Sequence, residues 1–292
     1  MSYLLDPSFL RRLERMQVVS RRMMSGSHMG KRRSRSLGSS LEFADFRSYY
    51  PGDDLRQLDW NAYARLGKLL LKTFLDEREL HITLYLDCSL SMNYGSPSKF
   101  AQAVQLAAAL GYVSLQHLDR VSVYAFEDRV TARQPFLLGK GKSHALFQFL
   151  NGLRPGGTGS INRALRSGAA IHGKPGVSVI LSDFLFEDGY EAGISFVQAS
   201  QQEVILVQML TEEERRPQLQ GDLRLIDSET QAGKEIALSP PVLKDYRQSL
   251  ADFQSSMKAF AARRGMVYVD ADPSLPIEDI VFKTFAPMGL IR

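Results

Sequence analysis

From residue 79 onward, short apolar runs alternate with stretches of helical periodicity, and nothing else in the chain restricts its fold so tightly. Residues 81–86, 121–126, 177–181, 204–210 and 266–269 read as strands. Residues 99–118, 144–153, 162–171, 189–201 and 242–264 read as helices between or after them. A strand followed by a helix crosses over and pairs in parallel with the next strand, so helices come to cover the sheet faces. The expected fold class is α/β: a doubly wound, mostly parallel sheet, preceded by an N-terminal helix and a turn-rich cap. Residues 129–137 predict an antiparallel edge strand. Residues 222–227 and 234–237 predict an inserted hairpin, spanning about 222–238, and residues 277–285 a closing helix.

The segments before residue 79 are different in kind. Residues 7–23 have helical spacing, with Phe9, Leu13, Met16 and Val19 on one face. Residues 24–40 are rich in Ser, Gly and Arg and read as a flexible basic loop. Tyr50-Pro51-Gly52-Asp53 fits a type II turn, with proline pre-setting one central φ and glycine taking the positive one. Asp54 then fits a helix cap, with Gln57 at capping-box spacing. Leu55, Leu58, Ala62 and Leu66 line one face of that helix, and residues 69–74 read as a strand. The expected divisions are a basic arm over 1–40, a cap over 41–78 and the α/β domain over 79–292.

Charge separates the arm from the rest. Residues 1–40 hold nine Lys/Arg and two Asp/Glu, a balance of +7, whereas the remainder carries −3. Such an arm can approach nucleic acid, an anionic membrane or an acidic protein face, or can fold onto the acidic side of its own body. Its only aromatics are Tyr3 and Phe9, so nucleic-acid binding ranks last. The single cysteine, Cys88, excludes an intramolecular disulfide framework and a multi-cysteine zinc site. The five histidines have no metal-type spacing. No apolar run approaches the ~18 residues of a membrane span. The first twelve residues lack a secretory apolar core and include Asp6, so the expected location is cytoplasmic.

The chemistry concentrates where the first α/β strand ends. Asp87-Cys88-Ser89-Leu90-Ser91 places a carboxylate and two hydroxyls on one turn, the oxygen donors that hard divalent cations take. Ligands of open α/β sheets bind outside the carboxyl ends of strands. Two later segments fall at the same expected edge. Gly156-Gly157-Thr158-Gly159-Ser160 offers another neutral oxygen in a loop whose glycines permit close backbone approach. Val179-Ile180-Leu181-Ser182-Asp183 is a buried strand ending in a carboxylate. Taken singly, each segment is also an ordinary turn or helix start.

Together they resemble the metal-ion-dependent adhesion site of von Willebrand factor A domains, over roughly residues 79–210. The resemblance implies a magnesium ion, with Mn2+ or Ca2+ as alternatives, held by Asp87, Ser89, Ser91, Thr158 and Asp183. Two carboxylates and three hydroxyls leave such an ion short of full coordination, so a partner carboxylate or water completes it. That suits binding better than turnover.

A longer motif precedes this set. Glu42-Phe43-Ala44-Asp45-Phe46-Arg47-Ser48-Tyr49-Tyr50-Pro51-Gly52-Asp53-Asp54-Leu55-Arg56-Gln57-Leu58-Asp59-Trp60, then Ala64-Arg65, with Lys72, Phe74, Glu77 and Arg78 after it, resembles the signature of the bacterial domain-of-unknown-function family fifty-eight. The resemblance implies an adaptor or co-chaperone acting with a MoxR-type AAA+ ATPase. Arg47, Tyr49, Gly52, Asp53, Asp54, Arg56, Asp59, Trp60 and Arg65 are the candidate cap or partner surface. The alternative is an ion-paired cap that packs Trp60, Tyr49 and Phe46 against the sheet.

Enzyme classes rank lower. Asp53/Asp54 and Asp87/Asp183 are paired carboxylates, but no histidine or matched base accompanies them. Lys140-Gly141-Lys142-Ser143 looks like the end of a phosphate loop, yet the glycine required five residues before Gly141 is Phe136. No G-x-S-x-G elbow occurs. The rival from another class is a magnesium-dependent phosphoryl hydrolase or nuclease using Asp87 and Asp183.

Overall fold

The computed structural model describes residues 4–20, 43–51, 53–55, 58–74, 80–167, 174–218, 221–226 and 233–292. The chain divides into a small unit, residues 20–79, and a large unit, residues 1–19 with 80–292. Helix α1 (Pro7–Leu13) opens the large unit, with Asp6 capping it through Ser8 N–H and Pro7 in its first turn. It ends ten residues before the helical spacing does. Val18 and Val19, β-branched and extended, pair instead with the chain's far end: Val19 N–H donates to Leu290 O at 2.9 Å, and Val18 bridges Ile291. Phe9 is buried and meets Phe282 edge-on. The expected loop at 24–40 lies outside the described residues.

In the small unit, strand β1 (Phe43–Ser48) pairs antiparallel with β2 (Leu70–Phe74), with a bulge between Phe43 and Asp45. Between them lies helix α2 (Trp60–Leu66). Its cap is Asp59, not Asp54: the Asp59 carboxylate accepts from Asn61 and Ala62 N–H at 2.9 and 3.0 Å. The reason lies in β2. Leu58 bridges Leu71 and Asp59 N–H donates to Leu70 O, so these two residues are bound to β2 and α2 begins only after them. The Tyr50–Asp53 turn is closed by Asp53 N–H on Tyr50 O at 3.0 Å. Gly52 and Gln57 lie outside the described residues.

The large unit continues with β3 (His81–Asp87), α3 (Lys99–Gln116), β4 (Arg120–Phe126), β5 (Val130–Leu138), α4 (Ser143–Gly152), α5 (Ile161–Arg166), β6 (Gly176–Ser182), α6 (Glu191–Ala199), β7 (Gln202–Met209) and α7 (Glu212–Arg215). The hairpin β8 (Gly221–Ile226) and β9 (Gly233–Leu238) precedes α8 (Pro240–Arg263) and β10 (Val267–Ala271). A short turn, Ile277–Asp279, runs into a π-helical segment, Ile280–Phe285, where a single closing helix was expected. Residues 168–173, the end of the expected helix over 162–171, lie outside the described residues.

The sheet order is β10-β7-β6-β3-β4-β5, parallel except for β5. This is the mixed α/β architecture the alternation predicts. Every residue of β3 is buried, as a central parallel strand covered on both faces requires. Register places Tyr85 beside Tyr124 and Ile180, and Ile180 beside Leu206, on one face against Ile161, Ile194 and Phe260. On the other face Leu84 meets α3 at Gly111, where a Cβ would come within 2.6 Å of the Leu146 side chain of α4. The chain leaves β3 toward β4 and β5, then returns to build β6, β7 and β10 on the opposite side. The two directions diverge between β3 and β6, and a crevice at their carboxyl ends follows from that topology.

The outermost strands differ. The β4–β5 ladder shifts register twice, and Phe136 of β5 takes a positive φ of 55°. On β10, Asp270 forms a bidentate pair with Arg215 of α7. No described helix is long and apolar enough to cross a membrane.

Candidate functional site

Strands β3 and β6 end side by side, with Leu86 opposite Leu181, so Asp87 falls beside Ser182 and Asp183 one residue beyond. Asp87 is 0% exposed. One carboxylate oxygen accepts from Ser89 N–H at 2.9 Å and the other from the Ser182 hydroxyl at 2.5 Å. Both partners are neutral, and among the described residues no basic side chain pairs with Asp87. Burial, then the Asp183 charge, push its carboxyl up to about 7, against the hydrogen bonds from Ser182 and Ser89.

The other expected donors are arranged around it unequally. Ser89 is buried and Ser91 half-buried, with their hydroxyl oxygens 3.0 Å apart. Thr158 is exposed on a loop tied to the same turn: Gly156 N–H donates to Cys88 O at 2.7 Å, and Leu90 N–H to Gly157 O at 3.2 Å. Gly159 lets that loop lie against Ser89, since a Cβ there would meet the Phe186 ring at 2.6 Å and Ser89 Cβ at 3.1 Å. Asp183 is buried, with Oδ1 accepting from Leu185 N–H at 3.0 Å. Cys88 is buried, and burial pushes its thiol up to about 12, which keeps it from thiolate chemistry.

The pattern of acidic and hydroxyl residues misses a lysine. Lys99, the first residue of α3, is 1% exposed, and its Nζ donates to Asp183 Oδ2 at 2.7 Å and to Glu214 Oε1 at 2.6 Å. Burial opposes its charge, but Asp183 and Glu214 outweigh that and hold the ammonium above its ordinary value. Two signals were present in the sequence. A cation in the first turn of a helix opposes the helix dipole and implies a local anion. Thr211-x-x-Glu214 is a capping-box spacing, and the box forms. Ser182, next to Asp183, also lies outside that pattern, yet its hydroxyl donates to Asp87 and accepts from Phe184 N–H.

The donor set fits a hard divalent cation. A buried carboxylate with only neutral partners, a second carboxylate near enough to raise it, and adjacent hydroxyls are oxygen donors with charge to spare. Asp87, Ser89 and Ser91 would hold such an ion first, since Asp183 already answers to an ammonium.

The cap candidates are a separate group in the small unit. Arg47 and Asp53 form a bidentate pair at 2.6 and 2.7 Å, and Asp53 also accepts from Tyr50 N–H at 2.9 Å. The Arg47 and Tyr50 hydrogen bonds hold the Asp53 carboxyl down to about 2. Tyr49 is half-buried, Asp54 and Arg65 are exposed, and Gly52 and Arg56 lie outside the described residues. Trp60 and Phe46 are 62% and 41% exposed. Trp60 stands edge-on to Tyr63 one turn along α2.

Residues 45–269 match the model of a family described as "Protein of unknown function DUF58". Uncharacterized proteins of Mycobacterium bovis and Mycobacterium tuberculosis are each 24% identical over 251 residues, covering 84% of this chain and 79% of theirs. Among solved structures, the conserved hypothetical protein BatB from Bacteroides thetaiotaomicron aligns over 72% of this chain and 98% of its own, at 14% identity and a TM-score of 0.44. An aerotolerance-related membrane protein from Bacteroides fragilis aligns over 72% and 100%, at 16% identity and a TM-score of 0.41.

Proposed function

The chain belongs to the DUF58 family, and from that premise we propose that it is a magnesium-dependent protein-binding adaptor rather than an enzyme. In this reading the large unit is a von Willebrand factor A-like domain. Asp87, Ser89, Ser91, Thr158 and Asp183 are its metal-ion-dependent adhesion site. The observation that carries the reading is Asp87: a buried carboxylate at the divergence of the sheet, served by neutral donors and lacking a cation among the described residues. A bound divalent ion would supply the missing charge and leave coordination positions for a carboxylate of a partner protein. The partner we propose is a MoxR-type AAA+ ATPase, for which the chain would serve as adaptor or co-chaperone.

The residues around the site favour binding over turnover. Ser182 and Ser89 fix both oxygens of Asp87, and Lys99 and Leu185 engage those of Asp183. Calorimetric titration with Mg2+ tests the site: saturable binding is expected for the wild type and its loss for Asp87→Ala. Retention of the ATPase from native extract is expected with Mg2+ and not with chelator. Identical Mg2+ isotherms for the two chains would sink the reading. Phosphoester turnover abolished by Asp87→Ala would replace it with the hydrolase.

A further inference from the structure

Resting on the adhesion-site reading above, we propose that the Lys99 ammonium is a tethered cation that competes with the divalent ion for Asp183 and so holds down the site's divalent affinity. The ammonium is fixed rather than loosely placed. It sits at 2.7 Å from Asp183 Oδ2 and 2.6 Å from Glu214 Oε1. Each carboxylate is pinned through its other oxygen. Asp183 Oδ1 accepts from Leu185 N–H at 3.0 Å, and Glu214 Oε2 accepts from Thr211 N–H at 2.8 Å and the Thr211 hydroxyl at 3.2 Å. The side chain leaves the first turn of α3, where the helix dipole repels a cation, so it is there for the carboxylates.

The charge balance gives the consequence. Asp87, Asp183 and Glu214 carry three negative charges when ionised, and Lys99 returns one positive. The cluster is left at −2, the charge a divalent ion cancels. A divalent ion drawing on Asp183 must share Oδ2 with the ammonium or repel it, and at a few ångströms in a buried site that repulsion is large. Asp87 meets no such competitor. The protein thus carries one cation of its own where two positive charges from solution are wanted, which makes occupancy of the site responsive to divalent concentration rather than permanent.

The test is calorimetric titration of the full chain with Mg2+ at pH 8, for wild type, Lys99→Gln and Glu214→Gln. Removing the ammonium is expected to tighten the Mg2+ Kd by about tenfold or more. Glu214→Gln leaves more of the ammonium uncompensated and is expected to weaken binding several-fold. In thermal melts, Lys99→Gln is expected to fall below wild type in chelator and to regain more per increment of Mg2+. An unchanged or weaker Kd in Lys99→Gln overturns the proposal. Should that variant not fold, Glu214→Gln decides at its partly solvent-facing position, 18% exposed, and unchanged or tighter binding there overturns it. Wild-type binding with no response to Lys99→Gln removes the tether alone. The absence of Mg2+ binding in all three chains removes the adhesion site and the tether with it.

Discussion

Asp53 of the small unit and Asp87 of the large unit both accept a backbone N–H and a side-chain donor, yet their charges have opposite fates. Asp53 meets a guanidinium bidentately at a partly open surface, which holds it down to about 2. Asp87 is fully buried and meets a serine hydroxyl, and burial leaves it raised to about 7. Satisfying a carboxylate's hydrogen bonds and satisfying its charge are thus separate tasks. The cap does both with its own side chains. The sheet does only the first at Asp87, where no basic side chain among the described residues answers the charge.

The largest effect expected from this contrast is at the one charge the buried cluster does compensate. Lys99→Met strands Asp183 in the interior and is expected to cost about 3–5 kcal/mol in urea denaturation with chelator present. Arg47→Met is expected to leave the large unit's urea midpoint unchanged. Equal responses would break the comparison. Asp87→Asn should do the reverse of a typical core polar change. By removing an uncompensated buried charge it is expected to gain about 1–2 kcal/mol at pH 8 without metal, and to abolish the Mg2+ response. A loss of stability would show that the charge is compensated after all. In the small unit, Asp59→Ala removes the α2 cap at a cost of about 1 kcal/mol, read as roughly fivefold faster hydrogen exchange at Asn61 and Ala62. Unchanged exchange there would mean that the sheet, not the cap, holds the helix start.

The pH dependence of stability sets the two carboxylates apart by sign. Asp87 is raised in the folded chain above its ordinary 3.8, so its contribution to stability is full below about pH 4 and is lost as pH rises through about 7. Asp53 is lowered, so its contribution is present above about pH 4 and lost as pH falls through about 2. Metal-free denaturation at pH 4–8 is expected to lose its downward slope in Asp87→Asn. The acid limb below pH 4 is expected to soften only in Asp53→Asn. A slope shared equally by both variants would erase the distinction.

What could be read in the sequence followed from how far each residue's partners lie along the chain. Strands buried on both faces announce themselves as continuous apolar runs, and β3, β4, β6 and β7 stand where those runs predict. Asp87, Ser89 and Ser91 were visible because one turn holds them all. The end of α1 was not visible, since the partners of Val18 and Val19 lie at Leu290 and Ile291. Nor was β1, whose six residues make a strand only through β2. Asp54 and Gln57 have a capping-box spacing as sequence, but contacts of Leu58 and Asp59 with Leu71 and Leu70 set the start of α2 at Trp60. Lys99 reaches Glu214 across 115 residues, a contact that only folding makes.

The bent ladder at β5 and the charge pair on β10 bear on how the molecule behaves among its copies. A regular outer strand offers a template onto which a neighbouring chain can add, and stacking of that kind ends in aggregates. The register shifts and the positive φ at Phe136 spoil the template on one rim. Asp270 and Arg215 set ionised groups at the other, which an incoming strand would have to strip of water. Both rims of the sheet therefore discourage self-polymerisation, by distortion on one side and by hydration on the other.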